Sequence, residues 1–342
     1  MKTRALKNYG SGVGVEVYDI DLDDESECVE LGKLTADQCI VLLDKKIDTK
    51  KLYQIQSKWG KDSRPIINDA ILAGKLTGKH WTTLALSMGY ITREIDKEMN
   101  GAVLHVTYLQ DERGKPKGLF AQGELDWHSD QVSYDDAQRM IALQSVSDTE
   151  NSQTQFLCTH DAYESLSSDM KSMVKELYVK HKWRESMTPG LSPDQMQLVK
   201  YNYVPKDGVE SRFYSETVTG RPGLKLTIHS FDGFVGMSKE ESDKIMKEIT
   251  DIALQDKYVY TQDWQDGQIV FMDQEITIHK RPTNIQHGNR RKMARCITYL
   301  NHLFPDKPIG NTIKLNGQDL SHDEFIKLVD EDRKRQYAEG GY

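Results

Sequence analysis

The chain has 342 residues, 37% of them apolar and 29% charged, which is the composition of a folded globular protein of about two ordinary domains or one large one. Its longest apolar run, Cys39–Leu43, is five residues, against the roughly 20 that a membrane-spanning helix needs. With 45 Lys and Arg against 53 Asp and Glu, the net charge of −8 speaks against nonspecific nucleic-acid binding.

The basic start, Met1–Lys7, leads into no apolar segment of the signal-peptide kind, and a cytoplasmic location is the expectation. Gly12–Leu22 alternates as an early strand does. Thr35 and Gln38 have capping-box spacing, with Ala36, Cys39, Ile40 and Leu43 on one helical face, so a helix is expected from Thr35. A second helix is expected over Thr49–Trp59. Residues 60 to 100 hold Gly60, Pro65, Gly74, Gly78 and Gly89 among short apolar pieces and read as irregular covering structure. Strands are expected at Val103–Tyr108, Arg139–Val146, Gln155–Thr159, Lys225–His229, Gln268–Met272 and Arg295–Leu300. A helix from Ser238, with Glu241 completing its capping box, carries Ile245, Met246, Ile249, Ile252 and Ala253 on one face. Another short helix, capped by Ser321 and Glu324, followed by a charged tail, makes up the last segment, about 320–342. Without repeats or linkers, the pattern is that of one domain over 1–342, a β-sandwich or barrel with helices outside it.

Cys28, Cys39, Cys158 and Cys296 are scattered without a CxxC pair, which excludes a zinc ribbon and argues against a disulfide scaffold. The chemistry lies in Glu124-Leu-Asp-Trp-His-Ser-Asp130. A His and a carboxylate two apart on a strand share a face, so His128 and Asp130 can share a metal ion. The pair alone means little: ten histidines among 53 acids in 342 residues produce roughly 1.6 such pairs by chance. The chain has two, and the other, His322/Glu324, sits in a helix cap. What lifts the first is a distant turn and strand, Trp264 to His279, followed by Arg290, Arg291 and Arg295. Two His and one carboxylate is the ligand set of non-haem iron(II) sites with three open positions. A bidentate 2-oxo acid fills two and dioxygen the third, and an Arg forks onto the far carboxylate of the acid. His279 competes with His287 as the distal histidine.

From residue 11 to about 304 the chain resembles the taurine dioxygenase (TauD/TfdA-like) family of Fe(II)- and 2-oxoglutarate-dependent oxygenases. The resemblance is carried by Gly12–Leu22, Leu34-Thr-Ala-Asp-Gln38, Trp127-His-Ser-Asp130, Thr154, Asp161–Ser167, Trp264, Gly267, Asp273, His279, and Arg291 with Arg295 four residues on. It implies a double-stranded β-helix core (jelly roll, cupin-like), mainly β with flanking helices. It implies that His128, Asp130 and His279 bind Fe(II), that Arg291 and Thr154 grip 2-oxoglutarate with Arg295 beside them, and that O2 is the other cosubstrate. A ferryl species would then oxidise an unactivated C–H of a small-molecule substrate, releasing succinate and CO2. Hydroxylation is the default, desaturation or ring closure the alternatives, and retention of Asp130 argues against halogenation.

The chain departs from the family at Ser152-Gln153, where a Gly-Gly is frequent, and by one extra residue between His279 and the arginines. Arg290 therefore competes with Arg291 as the 2-oxoglutarate anchor, and the spacing to Arg295 favours Arg291. Glu124 replaces an Asn that touches substrate in the taurine enzyme, so taurine is not carried over. The metal and cosubstrate core is expected over about 100–304, with lid and pocket segments at about 60–105 and 183–222. Tyr108, Glu124, Tyr203, Arg212 and Arg295 are the candidate substrate contacts, and His80 and His229 could reach a pocket. An Arg near the iron and Glu124 together point to a charged, amino-acid-like substrate. The basic stretch Lys280–Arg295, with six Lys or Arg and no acid, suits an anionic cosubstrate. No nucleic-acid or membrane partner is expected, and a homo-oligomer is left open. The rival readings are a non-catalytic jelly-roll binding protein and a nucleic-acid demethylase.

Overall fold

Strands buried on both faces make up the centre of the protein. In Ile269–Asp273 every residue is buried: Ile269 and Phe271 enter one apolar cluster, and Val270 and Met272 enter another on the opposite side. Arg139–Ser147 divides in the same way, Met140 and Ala142 to one cluster and Ile141 and Leu143 to the other. Such strands read as continuous apolar runs because both sides of the sheet are covered. The computed structural model describes residues 1–64, 66–78, 81, 99, 102–107, 109, 125–132, 138–182, 208–282, 290–307, 309–310 and 312–338.

Two sheets face each other. The larger has seven strands in the order Lys2–Ala5, Val15–Asp19, Ile40–Leu43, Ile269–Asp273, Arg139–Ser147, Lys292–Tyr299 and Val103–Thr107. All its pairs are antiparallel except that of Val15–Asp19 with Ile40–Leu43. The smaller has four antiparallel strands in the order Tyr260–Asp263, Gln153–Cys158, Thr277–Arg281 and Leu125–His128. Their facing surfaces enclose Ile141, Leu143, Phe156, Val270, Met272, Met293 and Ile297. The helices Glu25–Gln38 and Thr49–Ser57 cover the outer side of the larger sheet through Leu31, Leu52 and Ile55. Behind the smaller sheet, Leu157 and Ile278 pack with Phe213, Leu224, Met246 and Ile249, the last two from the helix Lys239–Ala253. This is a double-stranded β-helix, a jelly roll of the cupin-like kind, mainly β with flanking helices, as the sequence implied. Among the described residues, no helix is long and apolar enough to cross a membrane.

Several local expectations are corrected; within 60–100, expected to be irregular, Ile66–Leu72 is a helix. No helix starts at Thr35. It begins at Glu25, where the Asp24 side chain accepts from the backbone N–H of Ser26 and Glu27, and it ends at Gln38. The Thr35 hydroxyl instead donates back to Leu31 O at 2.8 Å. Cys39, at φ +62°, turns the chain, and Ile40–Leu43 becomes a fully buried strand between Val15–Asp19 and Ile269–Asp273. Burial on two faces overrode the helical spacing of four apolar residues. Lys225–His229 is not a strand either: the strand there is Pro222–Leu224. Beyond it, Lys225 N–H donates to Phe213 O at 2.7 Å, Thr227 N–H to Lys225 O at 2.9 Å and His229 N–H to Trp127 O at 3.0 Å. These bonds fold the segment over the smaller sheet. The helix from Ser238 has its capping box with Glu241; the final helix, expected to be short, runs over His322–Ala338 and takes in most of the segment expected to be a charged tail.

Candidate metal centre

Cross-strand pairing of Leu125–His128 with Thr277–Arg281 sets His279 directly opposite His128. The two rings stand 4.1 Å apart between centroids, within the reach of directly opposed side chains on one face of an antiparallel pair. Phe156, which faces His279 from the next strand, lies against its ring at 6.3 Å, nearly parallel.

Asp130 comes to the same place by another route than strand alternation. The strand ends at His128, and Asp130 lies in the following turn, closed by Gln131 at φ +54°. Several side chains hold that turn. Gln274 Nε2 donates to Ser129 Oγ at 2.6 Å and to Asp130 O, while Ser129 Oγ donates to Gln274 O at 3.0 Å. Arg139, almost wholly buried, donates to Gln131 Oε1 at 2.6 Å and to Gln131 O at 3.1 Å. Arg295 Nη1 meets Asp130 Oδ2 at 2.5 Å. Nothing in the sequence marked Gln274, whose partners Ser129 and Asp130 are distant in the chain, or Arg139, whose partner Gln131 lies eight residues back, for this task.

His128, Asp130 and His279 are the one group of His, Cys, Asp and Glu among the described residues whose ligand atoms all lie within 4.8 Å of one another. The donor chemistry fits a divalent cation. His128 Nδ1 lies 2.7 Å from Asp126 O; a carbonyl only accepts, so Nδ1 carries the proton and Nε2 is left as the ligand atom. That Nε2 is 3.8 Å from Asp130 Oδ1. His279 Nδ1 is buried with no hydrogen-bond partner among the described residues. Burial, and then the neighbouring His279, pull the His128 imidazole down to about 3. Burial also lowers His279. Burial would raise the Asp130 carboxyl, but Arg295 first, with His279 and His128, outweighs it and brings it down to about 2. Two neutral imidazoles and an ionised carboxylate are the protonation states that metal binding requires.

Arg291 is buried, whereas Arg290 is exposed. Arg291 shares an inward face with Met293, two residues on, and directs Nε to Met293 Sδ at 2.9 Å and Nη2 towards Thr154 Oγ1 at 3.5 Å. Thr154 is buried and also accepts from Trp264 Nε1 at 2.9 Å. Structure thus brings Arg291, Thr154 and Trp264 together. Arg295, grouped with them on sequence grounds, instead rests on the Asp130 carboxylate. The His229 ring is 5.8 Å from that of His128. Arg212 is exposed, with its guanidinium 5.9 Å from the Tyr178 ring centroid. His80, Tyr108, Glu124, Tyr203 and His287 lie outside the described residues, as do much of 60–105 and the first part of 183–222.

Known proteins resemble the chain at both levels. An (S)-phenoxypropionate/alpha-ketoglutarate-dioxygenase of Sphingobium herbicidovorans is 26% identical over 164 residues, 46% of this chain and 57% of that protein, so the alignment spans little more than half of that relative. Pentalenolactone F synthase of Streptomyces avermitilis is 21% identical over 208 residues, 57% of this chain and 68% of that enzyme. Among solved structures, AAD-2 in complex with Mn(II) and N-oxalylglycine superposes with a TM-score of 0.62 at 19% identity, over 87% of this chain and 98% of the other. A taurine dioxygenase from Burkholderia xenovorans does so with 0.61 at 16% identity, over 96% and 99%. These two share the fold. A model of the family described as taurine catabolism dioxygenase TauD, TfdA matches residues 70–297, well over half of the chain. The chain belongs to the taurine catabolism dioxygenase TauD, TfdA family.

Proposed function

We propose that this protein is an Fe(II)- and 2-oxoglutarate-dependent dioxygenase that oxidises an unactivated C–H bond of a small, charged, amino-acid-like substrate, with hydroxylation as the default outcome. The observation that carries this reading is the convergence of His128, Asp130 and His279, with all their ligand atoms within 4.8 Å of one another. His128 would bind Fe(II) through Nε2, Asp130 through Oδ1, and His279 would complete a three-residue set that leaves coordination positions open. Bound iron with 2-oxoglutarate supplies the oxidising chemistry that activates O2, with release of succinate and CO2.

What the chain itself contributes is binding and exclusion of water. Arg291 is inward, buried and beside Thr154, where its fork can take the far carboxylate of 2-oxoglutarate while the Thr154 hydroxyl donates to it. Arg290, exposed, has no such access to the interior. Phe156, Met293 and Trp264 line the same enclosed space between the sheets, an apolar surround that strengthens the charge-assisted bonds made there. The anionic side of the substrate reading is supported by the phenoxypropionate named for one relative. Retention of Asp130 argues for oxygenation rather than halogenation, because as a metal ligand its carboxylate would take the place a halide would need.

The experiment is an anaerobic titration of the purified protein with Fe(II) and 2-oxoglutarate, followed by visible absorption. A metal-to-ligand charge-transfer band that needs both components is the expected result. Absence of the band overturns the reading. With the band in hand, succinate release in air, stimulated by amino-acid-like candidates, tests the substrate class; stimulation only by uncharged molecules would overturn that part alone.

A further inference from the structure

Asp130 is the one ligand of the candidate centre that can change its binding mode, since a carboxylate can offer a metal one oxygen or two. In this protein its two oxygens have different surroundings. Oδ2 is in contact with Arg295 Nη1 at 2.5 Å, and Oδ1 faces His128 Nε2 at 3.8 Å. The backbone is held as well: Gln274 grips Asp130 O and Ser129 Oγ, and Arg139 grips Gln131 immediately after it. With the main chain fixed on both sides, only rotation of the Asp130 side chain remains, and the guanidinium opposes it. Arg295 comes from Lys292–Tyr299 in the larger sheet, while Asp130 follows Leu125–His128 in the smaller one, so this ion pair ties the two sheets together at the site.

We infer that Arg295 is a positioning residue that pins one oxygen of Asp130 so that the carboxylate meets a divalent cation through its other oxygen alone, with Gln274 fixing the backbone beneath it. The inference rests on the metal-centre reading above. Chelation through both carboxylate oxygens would require breaking a charge-assisted bond in a partly buried place. A one-atom Asp130 leaves room for a two-atom cosubstrate. Arg295 then acts on the metal through Asp130, a role different from the cosubstrate contact that sequence spacing suggested.

The two roles separate on binding. Mn(II) affinity, read by the loss of the free-ion paramagnetic resonance signal, and 2-oxoglutarate affinity at saturating Mn(II) are measured for wild type, Arg295→Gln and Arg295→Lys. The visible spectra of the Co(II)-loaded proteins report coordination. Arg295→Gln is expected to lose about 10- to 100-fold in Mn(II) affinity and to alter the Co(II) spectrum. Arg295→Lys, which keeps the charge, should recover most of the affinity and give a Co(II) spectrum between those of wild type and Arg295→Gln. Affinity for 2-oxoglutarate at saturating Mn(II) should be nearly unchanged in both. Unaltered Mn(II) binding with weakened 2-oxoglutarate binding makes Arg295 a cosubstrate contact and overturns the inference. Should Arg295→Gln not fold, Arg295→Lys and Gln274→Met carry the test, since each is expected to weaken Mn(II) and shift the Co(II) spectrum by less than the glutamine, and wild-type behaviour in both overturns it. Wild type that binds no Mn(II) removes the metal centre itself; wild type that binds Mn(II) no better than a folded Arg295→Gln removes only the inference.

Discussion

His279 stands directly opposite His128 across an antiparallel strand pair, their ring centroids 4.1 Å apart. The relationship depends on register, because a slip of one residue would send the His279 ring to the other side of the sheet. A bulge between His279 and Arg281 lies just beyond the pair, where extra residues re-aim side chains. His128→Ala and His279→Ala should each lower Mn(II) affinity by more than the roughly 100-fold lost on removing an outer partner of a ligand, with unchanged far-ultraviolet circular dichroism. Native affinity in either folded variant would take that histidine out of the centre.

Arg290 and Arg291 are neighbours in sequence with opposite exposures. Loss of a charge-assisted bond costs about 1.5–3 kcal/mol, so Arg291→Gln should weaken 2-oxoglutarate binding by about 10- to 100-fold. Arg290→Gln should leave it nearly unchanged. Thr154→Val removes a neutral hydroxyl and should cost about 1 kcal/mol, a several-fold loss. Equilibrium titration at saturating Mn(II) checks all three, and a larger effect at Arg290 would reverse the assignment.

The sequence made this centre legible where chemistry needs particular residue types, and misled where only packing decides. His128, Asp130 and His279 could be picked out because few residue types can ligate a metal ion, and the structure brings these three together. The reason given for His128 and Asp130 sharing a side was strand alternation, yet Asp130 lies in a turn; the spacing was right and its cause was not. Ala36, Cys39, Ile40 and Leu43 have helical spacing, but four buried residues of Ile40–Leu43 form a central strand, and only the whole sheet shows that both its sides are covered. Gln274 and Arg139 were invisible because a glutamine or arginine that holds a backbone carbonyl has no signature of its own. The ion pair of Arg295 with Asp130 was hidden for the same reason: the spacing of two arginines cannot say which carboxylate each meets.

Lys225 and Glu275 form an ion pair at 2.8 Å with both side chains buried, and Ser215 Oγ also donates to Glu275 Oε2 at 2.8 Å. Glu275 lies in the turn that leads to the His279 strand, whose backbone Asp273 Oδ1 braces by accepting from Glu275 N and Ile276 N. Removing one member of a buried pair leaves the other charge uncompensated and costs about 3–5 kcal/mol. Lys225→Met should therefore destabilise the protein by about that much in urea unfolding. Lys225→Met with Glu275→Leu should recover a large part of it, because no lone charge then remains. A double variant no more stable than the single would show that the pair is not the source of the loss.

His181 supplies a pH test away from the metal ligands. It is buried, with Nδ1 at 2.9 Å from Ser230 Oγ and Nε2 at 2.8 Å from Ser211 Oγ. Burial, and then the charge on Lys225, push its imidazole down to about 3 from the usual 6.5. Between those values the unfolded chain binds a proton that the folded protein does not. Stability is thus fully present above pH 6.5 and falls by up to about 1.4 kcal/mol for each unit below it. Asp273, raised to about 7 by burial and then by Glu275, acts in the opposite sense: it takes up a proton on folding, and its contribution declines as pH rises from 3.8 to 7. A comparison of wild type with His181→Gln cancels that term, since Asp273 is present in both. At pH 8 the variant should be less stable by about 1–3 kcal/mol for its lost hydrogen bonds. The gap should narrow steadily in urea unfolding at pH 6.5, 5.5 and 5, because only wild type must expel a proton to fold. A gap that stays constant from pH 8 to 5 would mean that His181 titrates alike in the folded and unfolded protein.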